Sequence, residues 1–201
     1  MSGQKSSVDN PIELFQRWFE EAKGCGLKEP TSVALATVNS NGNPTVRIVL
    51  LKHADERGFV FYTNLASAKG GDLKIHPHAA MCFHWDPLRK QVRVTGPCQQ
   101  VSDDEADAYF ATRARISQIG AWASNQSQTL EGRWALEKRV AHYTAKFSIG
   151  DVPRPSFWSG FRIVPDSIEF WEDRKYRLHD RFIYERRPEG GGGWSKRQLF
   201  P

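Results

Sequence analysis

Apolar residues near the start of the chain recur at the spacing of a helix. The stripe that they form consists of Leu14, Phe15, Trp18, Phe19 and Ala22. Asn10 and Pro11 are residue types preferred at an N-cap and at the first helical position, and Glu13 could complete a capping box. Because Gly24 ends the pattern, it predicts a helix from Pro11 to about Lys23.

Between residues 32 and 101 the pattern changes to the alternation of apolar and polar residues that is typical of strands. The five predicted strands are Ser32–Val38, Thr45–His53, Gly58–Asn64, Ala79–Trp85 and Gln91–Val101. Gly96 and Pro97 predict a bend in the last of them. The connections are mostly short, which favours an antiparallel meander that closes into a barrel over a parallel sheet.

The second half of the chain mixes helices with further strands. Ser102 and Glu105 form a capping box, which predicts a helix through about Arg113. A second apolar stripe predicts a helix from Leu130 to Phe147. Strands return at Phe161–Val164, Ser167–Glu172, Arg177–Glu185 and Trp194–Phe200, the last two joined by a glycine run that fits a hairpin tip. The predicted fold class is α+β, mainly β, with flanking helices.

Length and composition narrow the class of protein. A chain of 201 residues suits one domain, predicted here at residues 10–201, after a flexible tail at residues 1–9. The tail lacks the apolar stretch of a signal peptide, and no apolar run approaches the roughly 20 residues that span a bilayer. The three cysteines are widely spaced and fit a reducing compartment. We therefore expect a cytoplasmic protein without a membrane partner.

The net charge of +5 invites an anionic partner. The charge is scattered, and the sequence has no helix-turn-helix, zinc-finger or RNA-binding motif, so discrete phosphate ligands explain the surplus at least as well as a nucleic acid does. A merely solvated basic surface is the alternative. His76, His78 and His84 have no carboxylate or cysteine at ligand spacing, and no metal site is expected.

The most informative local pattern is Arg177-Leu-His-Asp-Arg181. On a strand, alternate residues share a face, so Arg177, His179 and Arg181 would point the same way. Three potential cations side by side repel one another unless an anion or a π system lies opposite. The alternative is an exposed strand whose charges face water or pair with Asp180 and Glu172.

A second set of polar residues recurs every four positions: Tyr109, Arg113 and Ser117. This spacing places Tyr109 and Arg113 on one helix face, and Ser117 joins them if the helix continues. A guanidinium with hydroxyl neighbours is a candidate phosphate clamp. An ordinary polar helix face is the simpler interpretation of the spacing alone.

Two further candidate regions lie at strand ends. Arg47 and Lys52 bracket four aliphatic residues, but strict alternation would send them to opposite faces, so both reach one site only if a bulge or a strand end intervenes. Ser67 and Lys69 follow the predicted strand that ends in Tyr62-Thr-Asn64. There the free N–H groups and the dipole of a following helix would favour an anion.

Taken in order, these segments resemble the pyridoxamine 5'-phosphate oxidase family from Pro11 to Pro201. The matching blocks are RIVLLK at Arg47–Lys52, FYTN at Phe61–Asn64, RKQVRVTG at Arg89–Gly96, SQIGAW at Ser117–Trp122, NQS at Asn125–Ser127, PSFWSGFR at Pro155–Arg162, and IEFW with RLHDR at Ile168–Arg181. One block alone would mean little, whereas seven in family order are highly specific.

The resemblance implies a fold, an assembly and a reaction. The fold is an antiparallel split β-barrel that forms a homodimer, with two FMN sites built from both subunits. The reaction is the oxidation of pyridoxamine or pyridoxine 5'-phosphate to pyridoxal 5'-phosphate by O2, which yields hydrogen peroxide. FMN supplies the redox chemistry, and the protein orients the substrate.

The resemblance also assigns roles to residues. For FMN it implies a phosphate site at Arg47, Lys69 and, from the partner chain, Ser127, with further contacts from Ile48, Val49, Leu50, Leu51, Lys52, Tyr62, Thr63, Ser67, Gln91, Gln126, Trp171 and Arg181. For the substrate it implies a phosphate clamp of Lys52, Tyr109, Arg113 and Ser117, with Arg177 and His179 against the pyridine ring as the catalytic pair. We expect these two residues to act mainly by orientation rather than by proton transfer.

This chain departs from the family pattern at two places. Ala68 stands where the family usually has arginine before the lysine, which predicts weaker FMN binding, and residues 1–9 contain neither Arg nor Tyr to cover a bound substrate. Three alternatives are a related flavin oxidase acting on a phenazine-type substrate, a non-catalytic protein that binds FMN or pyridoxal phosphate, and, more remotely, a nucleic-acid-binding module.

Overall fold

The computed structural model describes residues 10–187 and 193–201. The predicted tail at residues 1–9 and most of the predicted glycine-rich hairpin tip lie outside these residues. Within them the helices are α1 (Pro11–Gly24), α2 (Ala68–Ile75), α3 (Asp103–Thr112), α4 (Arg115–Ala123) and α5 (Ala135–Lys146).

Side-chain caps start the first three helices. The Asn10 carboxamide oxygen accepts from Ile12 N at 2.9 Å, and Ser102 Oγ accepts from Glu105 N at 3.2 Å. Ser67 caps α2 in the same way, accepting from Gly70 N at 3.4 Å. Each cap satisfies an N–H group that has no partner within its helix.

The strands form one antiparallel sheet. They are β1 (Ser32–Val38), β2 (Pro44–Leu50), β3 (His53–Asp55), β4 (Gly58–Asn64), β5 (His78–Trp85), β6 (Lys90–Gln100), β7 (Trp158–Ile163), β8 (Ser167–Glu172), β9 (Asp180–Arg186) and β10 (Trp194–Gln198). The main order is β10-β9-β8-β6-β5-β1-β2, and β7, β4 and β3 branch from β6. The curled sheet confirms the predicted split β-barrel.

The branch lies at the predicted bend in β6. Residues up to Thr95 pair with β8, whereas Cys98 and the residues after it pair with β7. A Cβ atom on Gly96 would lie 2.0 Å from Val164 O, so only glycine fits this crossing. The bend lets one strand serve two parts of the sheet.

Aromatic side chains fill the interior of the curled sheet. Phe15 of α1 is fully buried and packs against Phe59, Phe83 and Trp85 at ring-centroid distances of 4.8, 5.0 and 5.9 Å. The predicted stripe on α1 is therefore the face that covers the barrel.

Several predicted boundaries were wrong. The second strand ends at Leu50, before Lys52, so Lys52 lies in a connection. The predicted helix from Leu130 begins at Ala135 instead, because residues 132–134 form a turn around Gly132, a poor helix former. The helix predicted through about Arg113 is confirmed as α3, which ends at Thr112, whereas α4 follows as a separate helix that the periodicity did not predict.

The strand predicted at Arg177–Glu185 begins only at Asp180. Residues 175–177 form a short 3-10 turn, in which Tyr176 and Arg177 have φ values of 60° and 62°. Such left-handed backbone is incompatible with a strand. The prediction that Arg177, His179 and Arg181 share a strand face is therefore wrong.

Candidate active site

A cavity of about 690 Å³ opens between α3–α4 and the ends of β2 and β4. It is lined by Ile48, Val49, Leu50, Lys52, Tyr62, Thr63, Asn64, Lys69, Tyr109, Arg113, Ala114, Ser117, Gly120, Ala121, Ser124, Gln126 and Trp158. The lining contains three cationic side chains and no acidic one among the described residues. Its size and mixed polarity are typical of small-ligand sites.

One end of the cavity is formed by a buried lysine at the start of α2. Lys69 Nζ donates to Thr63 Oγ1 and Gln126 Oε1, both at 3.2 Å, and to Ser67 Oγ at 3.4 Å. Burial lowers the pKa of Lys69, and the charge of nearby Arg47 lowers it further. All three acceptors are neutral, so the ammonium group can still attract an anion.

Arg47 lies behind this end rather than in the cavity lining. Its Nη1 donates to Thr37 Oγ1 at 2.5 Å, its Nη2 donates to Thr45 Oγ1 at 2.7 Å, and Asp72 Oδ2 is 3.6 Å away. Both threonine hydroxyls in turn donate to Asp72. This network satisfies donors of Arg47 and holds β1, β2 and α2 together.

The other end of the cavity is formed by an arginine whose charge has no acidic partner. The Nη1 atom of Arg113 is buried and has no hydrogen-bond partner among the described residues. The guanidinium carbon lies 4.7 Å from the centre of the Trp158 ring, and burial lowers the pKa of Arg113. A buried donor without a partner is costly, so this group marks a place for an anionic ligand.

Three aromatic side chains form one wall of the cavity. The Tyr62 ring lies 4.0 Å from Tyr109 and 5.2 Å from Trp158, at interplanar angles of 18° and 8°, and Tyr109 and Trp158 are themselves 6.2 Å apart. Burial raises the pKa of Tyr62 to about 12, so its phenol remains neutral. Trp158 reaches this wall because β7 pairs with β4 in a register that sets it opposite Asn64.

A short loop after α4 completes the lysine end. Ser127 Oγ accepts from Ala68 N at 3.2 Å within the same chain, although the resemblance assigned Ser127 to the partner. Arg139 of α5 fixes the loop, donating to Ala123 O at 2.5 Å and to Asn125 Oδ1 at 2.8 Å. The loop therefore presents Gln126 and Ser127 beside Lys69.

Besides Arg47, Leu51, Ser67 and Ser127, five predicted site residues lie outside the cavity lining of the single chain, on β6, β8, β9 and the turn before β9. They are Gln91, Trp171, Arg177, His179 and Arg181. Three of these form one row across neighbouring strands, since Trp171 is directly opposite both Gln91 and Arg181. Arg181 is held by Glu169, which accepts from its Nε at 3.0 Å and its Nη2 at 2.8 Å.

The turn before β9 presents its two candidate catalytic residues differently. Arg177 is exposed, whereas His179 is largely covered by Trp171, with 4.6 Å between ring centroids. His179 Nδ1 lies 2.8 Å from Asp173 Oδ1. Neither residue lines the cavity of the single chain.

The remaining predicted residues divide into cavity lining and support. Those that line the cavity are Ile48, Val49, Leu50, Lys52, Tyr62, Thr63, Lys69, Tyr109, Arg113, Ser117 and Gln126. Leu51 is buried in the core, and Ser67 caps α2. Trp158 was missed as a site residue, although it belongs to the PSFWSGFR block. No cluster of metal-ligating side chains exists within residues 10–187 and 193–201, and no helix there is long and apolar enough to cross a membrane.

Comparisons with known proteins agree with this geometry. The sequence model of the pyridoxamine 5'-phosphate oxidase family matches residues 19–147, and that of the pyridoxine 5'-phosphate oxidase C-terminal dimerisation region matches residues 158–201. Among solved structures, PhzG from Burkholderia lata 383, bound to tetrahydrophenazine-1-carboxylic acid, superposes with a TM-score of 0.90 at 32% identity over 98% of this chain and 95% of its own. An FMN-binding protein from Nostoc punctiforme, 19% identical over 97% of this chain and 99% of its own, shares the fold with a TM-score of 0.77.

Curated relatives are more similar still. The pyridoxine/pyridoxamine 5'-phosphate oxidase of Chelativorans sp. is 58% identical over 98% of this chain and 93% of its own, and that of Agrobacterium fabrum is 58% identical over 100% and 97%. Identity of this order over nearly the full length of both chains agrees with the match to the family's sequence model. The chain belongs to the pyridoxamine 5'-phosphate oxidase family.

Proposed function

We propose that this chain is an FMN-dependent oxidase that converts pyridoxamine and pyridoxine 5'-phosphates to pyridoxal 5'-phosphate. The observation that carries the proposal is one cavity lined by two cationic side chains, Lys69 and Arg113, and by an aromatic wall. Two phosphorylated, flat molecules bound together need such an arrangement. The relatives that are 58% identical bear the name of this activity, whereas PhzG is more distant at 32%.

The residues at the lysine end fit the phosphate of FMN. Lys69 supplies a charge, and the start of α2 supplies the positive end of the helix dipole. Gln126 and Ser127 add polar groups from the loop. Arg47 contributes its field from behind, since its own donors already bind Thr37 and Thr45.

The arginine end fits the phosphate of the substrate. Arg113 offers a buried N–H that lacks a partner, and Lys52, Tyr109 and Ser117 line the same region. These residues converge although α3 ends between Tyr109 and Arg113. A planar guanidinium matches phosphate oxygens in geometry as well as in charge.

The reaction removes two electrons from the substrate carbon that becomes the aldehyde. Oxidation of the amine consumes O2 and water and releases ammonia and H2O2, whereas the alcohol releases only H2O2. FMN, held by the residues around Lys69, would supply the redox chemistry that links this oxidation to O2. The protein's own contribution is positioning: the two cationic ends fix both phosphates, and the Tyr62 wall limits sideways movement.

The site is completed by a second copy of the chain. The five site residues that lie outside the cavity need a partner to meet it, and residues 158–201, which carry four of them, match a dimerisation region. Val46 and Ile48 on edge strand β2 are 69% and 65% exposed, as expected of side chains that a partner covers.

Aerobic turnover tests the function. Purified protein supplied with FMN should form pyridoxal 5'-phosphate and H2O2 in equal amounts from pyridoxamine 5'-phosphate. Flavin binding without turnover would support the non-catalytic alternative instead, and preferential oxidation of a dihydrophenazine carboxylate would support the phenazine alternative. We place the activity in the cytoplasm, which the free thiols of Cys25, Cys82 and Cys98 fit.

Mixing two inactive variants tests the shared site. Arg113→Ala damages the cavity, and Arg177→Ala should abolish most turnover while FMN stays bound. If the two residues come from different subunits, a mixed dimer has one fully intact site, and an equal mixture regains about a quarter of wild-type activity after subunit exchange. If both residues act within one chain, the mixture stays inactive.

A further inference from the structure

A histidine and an aspartate form a supported pair outside the cavity. The side chains of His179 and Asp173 are only 17% and 19% exposed, and His179 Nδ1 lies 2.8 Å from Asp173 Oδ1. Asp173 is held from behind by Arg89, through an ion pair and through a hydrogen bond from Asp173 N to Arg89 O at 3.0 Å. Trp171 packs against the imidazole. Neither partner of the pair is free to swing away.

Backbone strain is concentrated around this pair. Four non-glycine residues in the described part of the chain have positive φ, and three of them lie here: Arg89 at 54°, Tyr176 at 60° and Arg177 at 62°. Left-handed backbone at a residue with a Cβ costs about 1 kcal/mol or more and persists only where the surroundings enforce it. Strain of this kind gathers at functional sites.

Two groups lie within hydrogen-bonding distance of the same imidazole nitrogen, His179 Nδ1, and they require opposite protonation states of that nitrogen. The Asp173 carboxylate at 2.8 Å needs a proton on Nδ1, whereas the N–H of Arg174, at 3.3 Å, needs a lone pair there. Both cannot be satisfied together. A short bond to a carboxylate is about twice as strong as a neutral bond, so it decides the outcome. In the neutral imidazole, therefore, Nδ1 carries the proton and Nε2 the lone pair.

We propose that Asp173 is the positioning residue of His179: it fixes the Nδ1–H tautomer and so presents Nε2 as a hydrogen-bond acceptor to the substrate. The catalytic meaning rests on the proposed function, in which the turn before β9 meets the cavity of the partner. An acceptor there takes a hydrogen bond from an N–H or O–H of the substrate and holds the pyridine in its reactive orientation. The wrong tautomer would offer a donor instead.

The tautomer can be measured without cofactor or substrate. In protein labelled with ¹⁵N-histidine, the His179 signals are identified by their loss in His179→Gln. We expect wild type to show a protonated Nδ1 and an unprotonated Nε2. In Asp173→Asn both the new side-chain amide and the Arg174 N–H can donate to Nδ1, so the proton should move to Nε2. Glu172→Gln is the matched control, since Glu172 pairs with Arg174 at 3.0 Å, and it should leave the tautomer unchanged.

Kinetics test the consequence for turnover. Asp173→Asn should lower kcat by about 10- to 100-fold, the loss expected for one charge-assisted hydrogen bond. Its FMN affinity and melting temperature should match those of the Glu172→Gln control. Asp173→Glu should restore part of kcat. A wild-type Nε2–H tautomer, or a kcat that survives the change of tautomer, overturns the proposal. Absence of oxidase activity in wild type would refute the proposed function separately, because the spectra are recorded on apoprotein.

Discussion

Arg113→Met tests whether the charge of Arg113 recognises the substrate phosphate. The substitution keeps a long apolar side chain against Trp158 and removes the charge. Arg113 Nη1 has no partner among the described residues, so a phosphate can bind it without breaking an existing hydrogen bond. One charge-assisted hydrogen bond is worth about 1.5–3 kcal/mol. At about 1.4 kcal/mol for each tenfold change, KM for pyridoxamine 5'-phosphate should rise about 10- to 150-fold.

The same substitution should stabilise the free protein. Burial lowers the pKa of Arg113, which means that folding disfavours its charged form. A base whose pKa is lower in the folded than in the unfolded state destabilises the fold at every pH below both values, and neutral pH lies in that range. Loss of the contact between the cation and the ring offsets part of the gain. The free energy of unfolding, from urea titration without ligand, should rise by about 1 kcal/mol.

Steady-state kinetics with two substrates decide the case. Wild type and Arg113→Met should oxidise pyridoxamine, which lacks the phosphate, with the same kcat/KM. For pyridoxamine 5'-phosphate, kcat/KM should be lower in Arg113→Met than in wild type. Arg133→Met, which removes an exposed guanidinium that stacks on Trp134, is the control for loss of charge. Equal losses for both substrates, or an equal effect of the control, would refute the reasoning.

Three further variants test other parts of the structure. Burial lowers the pKa of Lys69 below 10.5, and only the charged form of the side chain binds phosphate. FMN affinity, measured by fluorescence, should therefore fall as the pH rises through that lowered pKa. Lys69→Arg should remove this pH dependence, and an identical fall in the variant would contradict the assignment of Lys69 to the FMN phosphate. Ala68→Arg adds the arginine usual in the family and should tighten FMN binding by about 1.5–3 kcal/mol. Unchanged or looser binding would show that an arginine at this position does not contact the FMN phosphate. Glu105→Ala removes an ion-pair partner of buried Arg162 and leaves Asp55, 3.3 Å away, as its acidic partner among the described residues. The free energy of unfolding should fall by about 3 kcal/mol. Asp104→Ala, at the neighbouring position, is the control and should change it little.

Local sequence signals predicted most of the fold because they act within a few residues. The caps of α1 and α3, the strand alternation and the bend at Gly96 each depend on neighbours along the chain. The wrong start of the helix predicted from Leu130 has a local cause, Gly132, whereas the wrong start of β9 lies at a left-handed turn. At Tyr176 and Arg177 the backbone turns left-handed, a conformation that residue type alone gives no reason to expect.

The candidate site was predictable in part for the same reason. The spacing of Tyr109 and Arg113 brought out two lining residues even though the helix ends before Arg113. Trp158 was missed because its place depends on the register between β7 and β4, almost 100 residues apart in sequence. Asp173 could not be linked to His179 from spacing, since the tight turn between them sets their contact.

A crystal structure with FMN and pyridoxal 5'-phosphate bound would test the two-ended cavity most directly. The account predicts the FMN phosphate within hydrogen-bonding distance of Lys69 and the product phosphate on Arg113, with Arg177 and His179 of the second subunit against the pyridine ring. A product phosphate away from Arg113, or a turn before β9 that faces bulk solvent in the assembled dimer, would contradict it.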